Sequence, residues 1–594
     1  MDTELEKQMA EIDIAFIQPP GWAVENPPMG LAMLKSYLSE QGLKVKVFDL
    51  NILLYNIRSK EYFNSWELAN GYYTWERDSW VNQFFSKYSD EILNFIFSVI
   101  SQNPKCIGLS AHNSSVIASE LLAKKIRQYD PLIPIMFGGP EMVKVSPKWR
   151  SLLKSKIADV VVFGEGEVTV SEYLKNPKGT TKGLANLNSN GEIVEGETRE
   201  VIPNLDSLPF PDYSDFNLKL YRGTNVLPTY FSRGCVNRCI YCTEKNYFPT
   251  FRCRSGKRVF EEIKHQRLLY PKTEYFRLHD SVSNGNIREL EILCDLLIES
   301  NLEIGFDLEG AIIRKEMTAP FYKKLRKAGC TIIGFGMETP SKPILKNIGK
   351  MACLSADFDK VITDGVKSGI TIGVNFMFGL PGETEEDSQM QLEFIRKYKR
   401  YRKRMILNPA LNYCYFPPGC TAYEHPEEYG IDISRGPLFW ESTDGKNTFP
   451  IRLSRFERFC KLANELGYEN LFGITESLNR NEMLDLYYSG KDELSYPKET
   501  ILHNKWEQTP ANLDDLKTYL MSKNISDMIN HLAFCIEQSY EPSAKFHMSS
   551  KGIKNFIKFN FSKWVYKNDK QYAMFIHALN LLDNKIKIQG GNRK

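Results

Sequence analysis

Apolar residues fall along the first 175 positions in short runs separated by polar segments of helical spacing. IDIAFIQ (12–18) ends at Pro19-Pro20. KVKVFDL (44–50), KCIGLSA (105–111), IPIMF (133–137) and DVVVF (159–163) follow, the last two stopped by Gly138-Gly139-Pro140 and Gly164. Between the first two runs, Leu31, Leu34, Tyr37 and Leu38 share one face of a helix expected over 29–41. Strands this continuous in apolar residues, alternating with helices, predict a parallel sheet buried on both faces, with ligands beyond its carboxyl ends. An insertion at 52–100 carries Trp66, Tyr72, Tyr73, Trp75, Trp80, Phe84, Phe85 and Tyr88. It reads as a helical lid packed on its own core; the alternative is that some of these rings wall a cavity.

A Pro-, Asp- and Ser-rich stretch, VIPNLDSLPFPDYSDF, marks 176–225 as a connector. A second alternating series follows, with strands expected near 228–233, 275–279, 303–308, 331–336, 370–377 and 405–416. Helices fit between them at 257–270, 286–300, 318–329 and 357–368. Six such units are too few for a closed eight-stranded barrel, so an open partial barrel is expected over 226–449. From 450 to 594 the pattern is helical and carries no readable motif. The fold class is therefore α/β: a Rossmann-like domain at 1–175, a partial (β/α)6 barrel, and a mainly helical C-terminal region.

Composition adds exclusions. The chain has 594 residues, 42 % hydrophobic and 25 % charged, which is ordinary globular composition. Lys and Arg number 76 against 73 Asp and Glu, so whole-chain charge gives no argument for a nucleic-acid partner. The segment 545–594 is basic, and a solvated helix face is its plainer reading. No run of 18 apolar residues suggests a membrane span, and the acidic, polar N-terminus lacks a signal-peptide core. A cytoplasmic protein is expected. Twelve cysteines in such a length are no disulfide scaffold.

Three of those cysteines crowd together as Cys235-Val-Asn-Arg-Cys239-Ile-Tyr-Cys242, directly after an expected strand. A Cys-x3-Cys-x2-Cys loop suits three corners of a [4Fe-4S] cube, leaving one iron open, whereas purely electron-carrying clusters usually have four thiolates. A zinc site completed by Cys253 is the alternative. The triplet, its place in a six-unit series and Tyr241 before the third cysteine resemble the radical S-adenosylmethionine (SAM) superfamily. Three later turns share the resemblance: HDSVSNG (279–285), GFGMETP (334–340) and NFMFGLPGET (375–384). It implies that Cys235, Cys239 and Cys242 ligate the cluster. It also implies that Tyr241, Asp280, Gly336, Glu338 and Gly382 lie along SAM.

The first 175 residues resemble the cobalamin-binding domain that precedes the radical barrel in one large subclass, on PPMGLAMLKSYLSEQGLKVKVFDLN, IGLSAHNSS, FGGPE and DVVVFGEGEVT. The implied cobalamin residues are Pro20, Gly30, Ser110, Asn113, Gly138, Gly139, Glu141, Gly164, Glu165, Gly166 and Glu167. Glycine permits the close backbone approach that a flat corrin needs. A flavodoxin-like scaffold without its cofactor is the competing reading. The older Asp-x-His-x-x-Gly pattern is absent, and His112 is the only histidine in the first 260 residues.

The activity implied is that of a cobalamin-dependent radical SAM methyltransferase, working through a 5′-deoxyadenosyl radical and methylcobalamin on a carbon centre. Non-methylating members of the same architecture, which cyclise, rearrange rings or insert oxygen, are the alternative. An iron–sulfur electron carrier is a third. The implied partners are a small-molecule or natural-product substrate and an electron donor such as flavodoxin or ferredoxin, under anaerobic conditions. Cys420, in YFPPGCTAYE, stands where relatives carry Thr or Ser; it is a candidate catalytic thiol or a space-filling equivalent.

Overall fold

The computed structural model describes residues 12–66, 74–223, 225–408, 413–468, 484–485 and 487–490. The first sheet takes β1 (Ile14–Gln18), β2 (Val45–Asp49), β3 (Ile107–Ser110), β4 (Ile135–Gly138), β5 (Val160–Val162), β6 (Leu184–Leu187) and β7 (Ile193–Glu195). Their order is β2-β1-β3-β4-β5-β6-β7, and the first five run parallel. All five residues of β1 are buried, as its unbroken apolar run requires. The chain leaves β1 toward β2 on one side and returns to β3 on the other. That reversal opens a crevice beyond the carboxyl ends of β1 and β3, where ligands of such sheets bind.

β6 and β7 extend the sheet as an antiparallel hairpin. They lie within the stretch read as a connector. The Asn188 side chain accepts from the Asn190 and Glu192 amides, and Gly191 takes φ +79°. That Asn-Gly turn is a hairpin signal, masked in the sequence by the Pro- and Asp-rich composition just after it.

The aromatics of the insertion pack on one another. Phe84 lies 5.0 Å from Trp75, 5.7 Å from Trp66 and 4.7 Å from Tyr88, ring centre to ring centre. The pairs with Trp75 and Trp66 are edge-to-face, an arrangement that adds about 0.5–1.5 kcal/mol each beyond area burial. Tyr72 and Tyr73 lie outside the described residues.

The second sheet is a six-stranded open barrel of β8 (Val226–Thr229), β11 (Tyr275–Leu278), β12 (Gly305–Ala311), β13 (Cys330–Glu338), β14 (Thr371–Phe376) and β15 (Met405–Asn408). All neighbours are parallel. The first strand is shorter than the pattern over 228–233 implied. The Asp280 carboxylate accepts from the Phe231 amide at 2.9 Å and from the Ser232 amide, taking both out of the ladder. The chain then forms β9 (Ser232–Arg233), which pairs antiparallel with β10 (Arg252–Cys253). The cysteine loop is thus the tip of a short hairpin standing on the barrel mouth.

Of the region after 449, the structure describes a helix, Phe449–Glu465; the basic segment 545–594 lies outside the described residues. That helix backs the Gly-Leu-Pro-Gly-Glu-Thr turn after β14. Buried Arg455 donates to Glu383 at 3.1 Å, and Glu383 accepts from the Gly379 and Leu380 amides. A Cβ on Gly379 would stand 2.0 Å from the Arg452 side chain. No helix among the described residues is long and apolar enough to cross a membrane.

Candidate functional site

The loop carrying Cys235, Cys239 and Cys242 is pinned from below. The Ile240 amide donates to Ile348 O at 3.0 Å, and the Asn237 side chain accepts from the Ala352 amide at 3.1 Å. Burial raises the Cys239 thiol and pushes Cys242 up to about 12; without a metal such thiols stay protonated, and metal coordination stabilises the thiolate. Among the described residues no three cysteine sulfurs lie within 4.8 Å of one another. Three thiolates on one zinc ion, each at about 2.3 Å, would sit about 3.8 Å apart. Cys253 stays at the foot of the hairpin, its Sγ accepting from Asn286 Nδ2 at 3.2 Å.

Beside the loop the structure gathers Tyr241, Gly336 and Glu338, together with Lys350, which the sequence reading missed. Glu338 adopts φ +66°, a left-handed conformation that costs a non-glycine residue of order 1–3 kcal/mol and recurs at functional sites. Its Oε1 accepts from buried Lys350 Nζ at 2.8 Å. Cβ atoms on Gly336 would stand 3.0 Å from Lys350 Nζ and 3.1 Å from Glu338 Oε1. Burial raises the Tyr241 hydroxyl, and the charge of Glu338 raises it further. Asp280 turns the other way. Burial lifts its carboxyl to about 6 while it holds Phe231 and Ser232, so it braces the hairpin. Gly382 sits in the turn backed by the Phe449–Glu465 helix, its nearest neighbour across the turn being Asn347.

A cavity of about 470 Å³ lies at the β1/β3 crevice and opens onto the barrel mouth. Gly30, Ser110, Gly138, Gly139, Gly164, Glu165, Gly166 and Glu167 line it from the first sheet's side, while Tyr230, Ser232, His279 and Ser281 line it from the barrel's side. Pro20, Asn113 and Glu141 are not part of its wall; Asn113 is exposed and donates to Glu76 at 2.8 Å. A Cβ on Gly30 would meet nothing within 4 Å, on Gly138 nothing nearer than 3.9 Å and on Gly164 nothing nearer than 4.0 Å. The volume those side chains would take belongs to the cavity, as a flat macrocycle lying on backbone requires. The buried Tyr230 hydroxyl, on the wall, has no protein partner. His112 and Trp22 also line the cavity, their rings stacked at 3.7 Å.

The carboxylates of Glu165 and Glu167 turn to the hairpin. Glu165 accepts from Arg233 at 2.6 Å and from Arg252 at 2.9 Å, and Glu167 accepts from Arg233 at 2.7 Å. Cys420 is fully buried and caps a short helix, Thr421–Glu424, its Sγ accepting from the Tyr423 amide at 3.4 Å. Burial raises its thiol to about 11. A hydroxyl serves that cap equally well, so Cys420→Ser is expected to keep the wild-type product and rate in a turnover assay.

The comparisons with known proteins place this geometry. Residues 229–395 match the model of the radical SAM superfamily. The chain carries a radical SAM domain. The match starts at the end of β8 and runs through the helix after β14, so it spans the cysteine loop and all three later turns. An uncharacterized methyltransferase of Pyrococcus horikoshii is 28 % identical over 302 residues, covering 50 % of this chain and 64 % of that protein. The chain spans about half the length of the next curated relatives, 46 % and 55 %. Among solved structures, the radical SAM methyltransferase TsrM of Kitasatospora setae, with tryptophan and a SAM analogue bound, has a TM-score of 0.57 at 15 % identity. It covers 81 % of this chain and 96 % of its own. The cobalamin-dependent SAM radical enzyme OxsB, with aqua-cobalamin and SAM bound, has a TM-score of 0.53 at 14 % identity, covering 100 % of this chain and 82 % of its own. At those identities the likeness is one of fold, and it extends beyond the radical SAM domain to the first sheet.

Proposed function

We propose that the chain is a cobalamin-dependent radical SAM methyltransferase that transfers a methyl group to a carbon of a small-molecule or natural-product substrate. The observation that carries this reading is the continuity of the glycine-lined cavity with the barrel mouth, since one space borders both the crevice of the first sheet and the foot of the cysteine loop. When bound, a [4Fe-4S] cluster supplies the electron that cleaves SAM to the 5′-deoxyadenosyl radical, and cobalamin supplies the methyl carrier.

The chain's own residues hold and orient. Cys235, Cys239 and Cys242 supply three thiolates to the cluster. Tyr241, Gly336 and Glu338 border SAM, and Lys350 holds the Glu338 carboxylate in place. Gly30, Gly138 and Gly164 let backbone approach the corrin. The apolar wall, with Leu31, Leu34 and Val162, excludes water from a radical's path. An external one-electron protein donor of the flavodoxin or ferredoxin class and a cytoplasmic, oxygen-poor setting complete the proposal. Curated relatives named as methyltransferases support methyl transfer, and relatives named as cyclases support the ring-forming alternative.

The test is anaerobic reconstitution with iron, sulfide, hydroxocobalamin and a strong reductant, followed by product analysis with candidate acceptors. Joint release of S-adenosylhomocysteine and 5′-deoxyadenosine with a methylated product is the expected result. 5′-Deoxyadenosine with no S-adenosylhomocysteine under any acceptor would overturn methyl transfer and favour a ring-forming or rearranging activity.

A further inference from the structure

Four buried charges join the two sheets at the foot of the cysteine hairpin. Arg233 and Arg252 face each other directly across β9 and β10, an arrangement of like charges that by itself weakens a hairpin. Glu165 lies between them, at 2.6 Å from one and 2.9 Å from the other, and Glu167 takes the second arm of Arg233 at 2.7 Å. Glu165 also accepts from the Ile202 amide at 2.7 Å, and Arg252 donates to Ile202 O at 2.6 Å. The side chains of both glutamates are 5 % exposed, those of Arg233 and Arg252 11 % and 9 %. Burial alone would raise the Glu165 carboxyl, but the two guanidiniums outweigh it and hold the group below the usual range.

Such a set adds little net stability, because desolvation offsets most of the attraction, whereas removing one partner is costly. Its distinguishing property is direction: Arg233 gives its two terminal nitrogens to two different carboxylates and Glu165 bridges two guanidiniums, so the charge-assisted bonds converge from several directions and fix orientation as well as distance. Both glutamates and Arg233 also line the cavity. Arg233 stands two residues before Cys235, and Glu165 follows Gly164 at the end of β5.

We propose that Glu165, Glu167, Arg233 and Arg252 are positioning residues, a clamp that holds the cysteine hairpin at one fixed place relative to the cavity of the first sheet. The clamp rests on the proposed-function reading for its purpose, which is to keep the cluster and the corrin at a single separation. It does not rest on that reading for its existence.

The experiment therefore has two arms, run on the full chain with Glu165→Gln, Glu167→Gln and Glu165→Asp. In the first, amide hydrogen exchange is followed without cofactors. The residues 234–251 are expected to lose about tenfold protection in Glu165→Gln, the effect of one charge-assisted hydrogen bond, while β1 and β3 stay unchanged. In the second, the reconstituted protein carries cob(II)alamin and reduced cluster, and the dipolar interaction between the two spins is measured by pulsed electron paramagnetic resonance. A broadened or displaced distance distribution at unchanged iron and cobalamin content is expected in Glu165→Gln, with partial restoration in Glu165→Asp. Wild-type protection of 234–251 overturns the clamp. Lost protection with a wild-type distance distribution overturns the positioning role. A wild-type protein that takes up no cobalamin overturns the functional reading instead, and the exchange arm still decides the clamp. If Glu165→Gln fails to fold, Glu167→Gln, which removes only one of the contacts to Arg233, answers the same questions.

Discussion

Replacing Cys235, Cys239 or Cys242 with alanine, one at a time, is expected to abolish 5′-deoxyadenosine formation and to strip the protein of its iron. A cube held by three thiolates has no spare protein ligand, so each loss opens a second iron and exposes the cluster to solvent and oxygen. The loop offers no replacement. Cys253 is committed at the hairpin's foot, beside Asn286, and Cys294 and Cys330 are buried in the barrel wall. The control is Cys253→Ala, expected to keep wild-type iron content and 5′-deoxyadenosine yield. Iron and sulfide assays with chromatography of the nucleoside product read both. A triplet variant with full radical activity would overturn the ligand assignment, and a Cys253 variant stripped of metal would return the site to the zinc reading.

The features legible in the sequence are those encoded over short spans. The apolar runs of β1 and of β3 to β5 mark buried parallel strands, because both faces of such strands must be apolar, whereas β2 at the sheet edge is only half-buried. The Cys-x3-Cys-x2-Cys spacing marks one loop, and Gly30, Gly138 and Gly164 mark strand-to-helix turns. What was illegible depends on pairing across the chain. Arg233 meets glutamates 66 and 68 residues away, and nothing in Ser-Arg-Gly-Cys says where its guanidinium will go. Asp280 reads as a turn residue facing a ligand, yet its carboxylate caps amides 48 and 49 positions earlier, which also explains why the first barrel strand ends early. Lys350 is one lysine in a Lys-rich stretch until Glu338 is seen 2.8 Å away. The β6–β7 hairpin was missed for the opposite reason, since its local turn signal was outweighed by the composition of the residues that follow.

Cob(II)alamin bound to this protein is expected to give an electron paramagnetic resonance spectrum without splitting from an axial nitrogen. His112 is the single histidine of the first domain and it lines the cavity, so it is the residue that tests the point. A metal-bound imidazole almost always has its other nitrogen held by a carboxylate, carbonyl or water that sets its orientation. Among the described residues no carboxylate holds His112; its ring lies on the Trp22 indole at 3.7 Å and 21°, and burial lowers its pKa to about 3. The stack describes a wall residue. His112→Phe preserves a flat, half-buried ring on Trp22, and cobalamin retention and the spectrum are expected to match wild type. A nitrogen splitting in the wild-type protein that disappears in His112→Phe would overturn the assignment. The same substitution has a second signature in stability. Unfolded histidine titrates near 6.5, above the folded value of about 3, so between those limits the unfolded chain binds the extra proton. The stabilising contribution of neutral His112 is then present above about pH 6.5 and is lost as pH falls toward 3. Phenylalanine cannot bind that proton, and denaturant melts at pH 7 and pH 5 are expected to show a smaller loss of stability in His112→Phe than in wild type.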